Sequence, residues 1–174
     1  VSEIESPLGT SGIAREIKAR LGRQTINYKL GKSKISIVVD TKSPVQPFAV
    51  GMIVKNIKLD NHSFSQMIQL HDKLAAVLGA GRRNMSIGVY DLDKIKFPIK
   101  YTSIHSSEIK FIPLNFQKEM YAEEIMLMHP KGKEYGHLLS GTDLYPVWMD
   151  ANNKVLSMVP VINSNDAGSV NVST

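Results

Sequence analysis

Arg82 and Arg83 stand side by side, and Asp91 and Asp93 lie two positions apart. A planar guanidinium makes paired hydrogen bonds to a phosphate or carboxylate. Behind a helix C-terminus the same arginines complement the helix dipole or simply face solvent. Paired carboxylates serve acid–base work, but directly after a strand they more often cap the next helix. Ser157 sits in an apolar strand with no neighbouring histidine to activate it, which reads as a strand serine bonded to backbone. Trp148, the only tryptophan, reads as core. His62, His71, His105, His129 and His137 are scattered, whereas a metal site needs a cluster with ligand spacing.

The usual enzyme signatures are missing. No Gly-x4-Gly-Lys-Ser/Thr loop is present to cradle phosphates. Gly79-Ala-Gly81-Arg-Arg-Asn84 lacks the third glycine of a dinucleotide fingerprint. Neither His-Glu-x-x-His nor Gly-x-Ser-x-Gly occurs. The absence of cysteine excludes disulfides, zinc–cysteine sites and thiol chemistry, and fits a reducing cytoplasm. With 21 Lys+Arg against 16 Asp+Glu the formal charge is +5, compatible with an anionic partner such as RNA and with the commoner solvated basic surface. No apolar run approaches the roughly 20 residues of a membrane span, so no membrane partner is expected. The start, Val1-Ser-Glu-Ile-Glu5, has neither an initiator Met nor a signal pattern, as expected of a piece of a longer protein.

Hydrophobic periodicity supplies the scaffold for these groups. The 174 residues suit one domain with a real core. Thr10 or Ser11 caps a helix bearing Ile13, Ile17 and Leu21, which Gly22 stops. Lys34 to Val39 alternates as a strand, and so do Phe48, Val50, Met52 and Val54, with a bulge near Lys55-Asn56. Ser63 and Gln66 have capping-box spacing and open a helix that Gly79 ends. Met85, Ile87 and Val89 alternate as a strand; Ile99 to Ile104 and Glu108 to Ile112 follow. Tyr121 to Met128 reads as a helix stopped by Pro130. Leu144 to Met149 and Lys154 to Met158 form a hairpin around Asp150-Ala-Asn-Asn153; Val161-Ile162 continues apolar and Asn165-Asp-Ala-Gly168 turns. Strands outnumber helices and short turns join them. The expected class is α+β: a largely antiparallel, sandwich-like sheet core with flanking helices in layers. Residues 1–25 read as a connecting helical segment and 26–174 as the module proper.

Several stretches in fixed order resemble one family: Ser65-Gln-Met-Ile-Gln-Leu70, Arg82-Arg-Asn-Met-Ser-Ile-Gly-Val-Tyr-Asp-Leu-Asp-Lys-Ile95, Phe111-Ile-Pro-Leu114, Glu134-Tyr-Gly-His-Leu138, Leu144-Tyr-Pro146, Val155-Leu-Ser-Met158 and Val161-Ile-Asn-Ser164. Gly12-Ile-Ala-Arg-Glu16 is similar to the helix leading into that region. The set resembles the β subunit of archaeal and eukaryotic-type phenylalanyl-tRNA synthetases, over nearly the whole chain. The resemblance implies an α2β2 cytoplasmic ligase that uses ATP and magnesium, with aminoacylation on the α subunit. This region is then the module that hydrolyses mischarged tyrosyl-tRNA at the 3' end of tRNA(Phe), with no cofactor of its own. A non-catalytic tRNA-positioning or subunit-assembly module is the alternative.

Carried over residue by residue, the resemblance places Ser157 and Trp148 in the lining of the editing pocket, with Asn163 and Ser164 as polar contacts. Ser157 and Asn163 are expected to orient a water or the ester carbonyl. Trp148 stands where related archaeal chains carry leucine, which implies a narrower site or a ring turned aside. Gln66, Gln69, Arg82 and Arg83 match positions expected near the pocket or the tRNA end. Val159 replaces a usual proline. The family continues into an Asp-x-Thr-Gly strand past the position of Thr174, so a pocket short of one wall is expected. With no cysteine and no serine paired to a base, a covalent intermediate is not expected.

Overall fold

The late hairpin turns around one buried carboxylate. Asp150 is 1% exposed, and its Oδ1 accepts the backbone N–H groups of Asn152 at 2.8 Å and Lys154 at 3.0 Å. The Asp150 N–H donates to the Lys154 carbonyl, and Asn153 takes a left-handed φ of 60°, a region in which asparagine is enriched. The turn joins Leu144–Met149 to Val155–Met158, the antiparallel pair expected from the alternation.

The computed structural model describes residues 10–23, 31, 33, 35–40, 42–172 and 174. In chain order the elements are α1 (Thr10–Arg20), β1 (Ile37–Asp40), α2 (Asn61–Val77), β2 (Ile99–His105), the short β3 (Lys110–Phe111) and β4 (Met120–Tyr121), α3 (Ala122–Met128), α4 (Pro130–Tyr135), β5 (Leu144–Met149), β6 (Val155–Met158), β7 (Ile162–Asn163) and the single-turn α5 (Asn165–Gly168). One five-stranded sheet has the order β1-β2-β5-β6-β7; β3 and β4 form a second, two-stranded sheet. Only β1 and β2 pair in parallel; the other pairings are antiparallel, and helices layer against them. This is the α+β class expected.

Register divides the large sheet into two functional faces. Direct partners line up Thr102, Val147, Met158 and Ile162 in one row. Val147, Met158 and Ile162 join the core with Phe111, Met120 and Ile125. Burying each such side chain contributes about 1.5–3 kcal/mol. The adjacent row is Val39, Tyr101, Trp148, Ser157 and Asn163. Neighbouring residues on a strand point to opposite faces, so this second row faces away from that core.

Helix α2 starts a turn earlier than its capping-box spacing suggests. Asp60 is the N-cap and its carboxylate accepts the Ser63 N–H at 2.7 Å; Ser63 and Gln66 lie within the helix. A carboxylate at this position also favours the positive end of the helix dipole. Gly79 follows the helix in tight contact: a Cβ there would stand 2.3 Å from the Met85 carbonyl oxygen and 2.4 Å from that of Ala75.

Two expected strands are absent among the described residues. The run containing Phe48 and Val50 pairs with no neighbour and leaves those side chains 90% and 93% exposed, so alternation without a ladder partner made no strand. Met85 to Val89 also lies outside the sheet; His71 Nε2 donates to the Ile87 carbonyl (2.7 Å), and Asn163 Nδ2 to that of Val89 (3.5 Å). Lys34 lies outside the described residues, and the strand there begins at Ile37. Pro130 opens α4 rather than merely ending α3, in the first-turn position where its missing N–H costs nothing. Asp91 caps the short 3-10 turn Leu92–Lys94 by accepting the Asp93 N–H, the capping role rather than acid–base pairing. Ile13 and Ile17 fall on α1 as expected and Leu21 follows its last residue, but all three are exposed.

Replacing the turn carboxylate tests this account. Asp150→Ala leaves two backbone N–H groups of the turn without their acceptor and should lower unfolding free energy by about 1–3 kcal/mol. Asp150→Asn, which retains an acceptor oxygen, should recover much of that loss. Urea midpoints read both; an unchanged midpoint for Asp150→Ala would mean the turn is held otherwise.

Candidate functional site

Across the second row of the sheet lies a cleft of about 260 Å³ whose lining includes Tyr90, Trp148, Ser157 and Asn163. The Tyr90 hydroxyl stands 2.8 Å from Ser157 Oγ and 3.2 Å from Asn163 Oδ1. A phenol has one proton to donate and lone pairs to accept another, so it can satisfy both neighbours when the Ser157 hydroxyl supplies the second proton. The Asn163 amide is oriented from behind by its Nδ2–H bond to the Val89 carbonyl. Burial pushes the Tyr90 hydroxyl up to about 12, against the smaller opposing effect of its bond to Ser157. The floor of the cleft is therefore uncharged at neutral pH.

Two glycines make room for this arrangement. A Cβ on Gly88 would lie 2.5 Å from the Tyr90 hydroxyl oxygen and 2.6 Å from the ring, so the phenol folds back over its own chain only because position 88 is glycine. A Cβ on Gly168 would lie 2.5 Å from Cβ of Asn163. Trp148 packs against Tyr101 with centroids 4.7 Å apart and planes tilted by 45°. The Tyr101 hydroxyl donates to the Gln46 carbonyl at 2.8 Å, and burial raises its pKa. The Gln46 side chain donates to the Arg82 carbonyl and accepts from the Ser86 hydroxyl, both at 2.7 Å.

Arg82 is a clamp, but on the protein's own backbone. Its Nη1 donates to the carbonyls of Pro160 and Val161, both at 3.0 Å, and its guanidinium lies 4.1 Å from the Tyr135 ring centroid, within cation–π range. A second cavity of about 280 Å³ lies beside the first, with Asp72, Arg82 and Lys131 lining both. His129 is buried between the Leu114 carbonyl and the Lys131 N–H, at 3.0 Å each, so both ring nitrogens have partners. Among the described residues no histidine or carboxylate hydrogen-bonds Ser157, and no three His, Asp or Glu side chains stand together as metal ligands. None of the helices described is long and apolar enough to cross a membrane.

The structure thus brings Trp148, Ser157, Asn163 and Arg82 to one cleft. It does not bring the others there. The Gln66 side chain pairs with His62 at 3.0 Å, and Gln69 is exposed. Arg83 is exposed. Ser164 is buried and caps α5, its hydroxyl accepting the Ala167 N–H. Sequence reasoning missed Tyr90, whose partners are 67 and 73 residues further along the chain. The one signal in the sequence is a glycine two positions before the tyrosine.

Comparison with known proteins points to one class, the β subunits of an aminoacyl-tRNA ligase. No family model matches the chain. The β subunit of phenylalanine–tRNA ligase from Pyrococcus horikoshii is 44% identical over 166 residues, covering 94% of this chain and 30% of that subunit. That of Thermococcus gammatolerans is 43% identical with 94% and 29% covered, and that of Methanococcus maripaludis 36% identical with 90% and 28% covered. The crystal structure of an N-terminal fragment of the phenylalanyl-tRNA synthetase β subunit from Pyrococcus horikoshii superposes with a TM-score of 0.86 at 42% identity, over 94% of this chain and 48% of that one. The chain is homologous to a segment of the archaeal phenylalanine–tRNA ligase β subunits, and it spans about 30% of the length of the curated relatives it matches.

The Tyr90 hydroxyl makes stability fall in alkali. Its folded pKa is raised from 10.0 to about 12, so its contribution is full below 10 and is lost as pH rises toward 12. Tyr101, also raised by burial, acts in the same direction. Urea midpoints followed through that window should fall more steeply for the wild type than for Tyr90→Phe. Equal slopes would show that Tyr90 ionises as an exposed phenol.

Proposed function

We propose that this chain is the hydrolytic editing module of a phenylalanine–tRNA ligase β subunit, which removes tyrosine wrongly esterified to tRNA(Phe). The observation that carries this reading is that Ser157 and Asn163 hold a phenolic hydroxyl at the floor of a cleft. Tyrosine differs from phenylalanine by that one group. A hydrophobic synthetic pocket rejects an added hydroxyl only about a hundredfold, whereas a site built to bond it rejects the analogue lacking it by ten-thousandfold or more. Ser157 and Asn163 suit the reading of the hydroxyl better than the orientation of water, because a hydroxyl is what they hold here. Trp148 forms an apolar wall for the ring, and Arg82, Lys131 and Asp72 line the join of the two cavities.

In this reading water adds to the ester carbonyl carbon. The bond to the ribose oxygen then breaks, and that oxygen takes the proton. A ribose hydroxyl of the tRNA assists. Residues 1–25 are the connecting segment and 26–174 the module. The names of the relatives, β subunits of a ligase, support a parent ligase with an α subunit; under the same proposal that parent is a cytoplasmic α2β2 enzyme with ATP and magnesium at its aminoacylation site. A second reading, a subunit-assembly or tRNA-positioning module, is favoured by the exposed apolar run of Phe48, Val50, Met52 and Val54.

Incubation of the chain with tyrosyl-tRNA(Phe) and, separately, phenylalanyl-tRNA(Phe) decides between them. Selective release of tyrosine is expected, with Asn163→Ala slowing it by about tenfold to a hundredfold. Binding of both tRNAs without turnover establishes the assembly reading instead.

A further inference from the structure

We infer that Tyr90 is an internal competitor for the cleft: its phenol occupies the Ser157–Asn163 subsite in the free protein, and a tyrosyl ligand binds by displacing it. The inference rests on the proposal that the cleft receives a tyrosyl group, and adds what that group must move. Ser157 is only 2% exposed. While the Tyr90 hydroxyl stands 2.8 Å from its Oγ, that oxygen has almost no surface left to offer another molecule. A ligand atom therefore meets Ser157 only after Tyr90 has left.

Departure is cheap in backbone terms. Tyr90 lies on the run outside the sheet, so rotation of its side chain breaks no ladder. The main chain on either side is anchored without the ring, by the Asn163 Nδ2–H bond to the Val89 carbonyl at 3.5 Å and the Asp91 N–H bond to the Ala167 carbonyl at 2.8 Å. Gly88, directly beneath the ring, shows that the folded-back position is packed closely enough to be blocked by one methyl group.

A ligand phenol exchanges one hydroxyl for another, so Ser157 and Asn163 stay paired. A phenylalanyl ligand that displaces Tyr90 leaves both unpaired, which is costly for buried polar groups. The competitor lowers the apparent affinity of every ligand by the same fraction, because only the open form binds. Discrimination between ligands remains with Ser157 and Asn163.

This gives a signature that a ligand-reading role for Tyr90 would not. Dissociation constants of L-tyrosinamide and L-phenylalaninamide are measured by calorimetry on the full chain and on Tyr90→Phe. Both should tighten by about tenfold in the variant, with their ratio preserved. Gly88→Ala, whose new Cβ would collide with the ring, should act in the same direction and serves if Tyr90→Phe does not fold. Selective weakening of tyrosinamide, or equal affinity in wild type and variants, overturns the inference while leaving the hydrolysis assay to judge the editing reading. Binding to neither protein overturns the inference as well. Failure of tyrosyl-tRNA hydrolysis alongside the uniform tightening would remove the editing reading and keep Tyr90 as occupant.

Discussion

The register of the β5–β6–β7 ladder is the constraint on which everything else depends. Because the side-chain period of a strand is two, a slip of one residue would exchange the two faces. Met158 and Ile162 would leave the core, and Ser157 and Asn163 would enter it, where two polar groups without partners are costly. Asp150 holds the register at the hairpin turn, and an irregularity between Trp148 and Met149 adjusts the pairing next to it. The same two bonds that shape a turn thus decide which residues face the cleft.

The sheet supplies only half of the site. The other half comes from the run between α2 and β2, which the sheet does not pair. Arg82 and Gln46 hold that run in place through backbone carbonyls and the Ser86 hydroxyl instead. These bonds fix the start of the run, the Asp91 N–H bond to the Ala167 carbonyl fixes its end, and the side chain of Tyr90 is left governed by packing and by its own hydroxyl. Gly79, Gly88 and Gly168 occur where a methyl group would strike a carbonyl oxygen, the Tyr90 ring or Asn163 respectively. Their role is close approach rather than a special backbone angle: none of them has a left-handed φ.

What could be read from the chain follows from how far each signal reaches. The late hairpin was legible because its alternation and its Asp150 turn are both local, and α2 because seventeen residues carry a helical period. Asp60 was missed as its cap because a serine three residues on offered an equally good pattern. Phe48 to Val54 has the alternation of a strand but no partner among the described residues, and alternation states nothing about partners. Ser157, Asn163 and Trp148 were named only through family resemblance; taken alone, Ser157 reads as a strand serine and Trp148 as core. Tyr90 escaped because its meaning lies in two residues distant in sequence, which register alone brings beside it.

Charge divides the two cavities into complementary parts. At the floor, serine, asparagine and a neutral tyrosine interact through hydrogen bonds of short range, which sense the presence or absence of one hydroxyl. At the join, Arg82, Lys131 and Asp72 stand together, with Arg82 bonded to backbone carbonyls and Lys131 paired with Glu134, so charges of both signs meet there. Under the proposed function the floor reads the end of an aminoacylated RNA that differs between substrates, a side chain whose single oxygen distinguishes error from product. Placing a formal charge at the floor would have favoured ligand charge over ligand shape, and would have required a counter-ion once a ligand covered it. An uncharged floor therefore lets the hydroxyl, rather than the net charge of the ligand, decide occupancy.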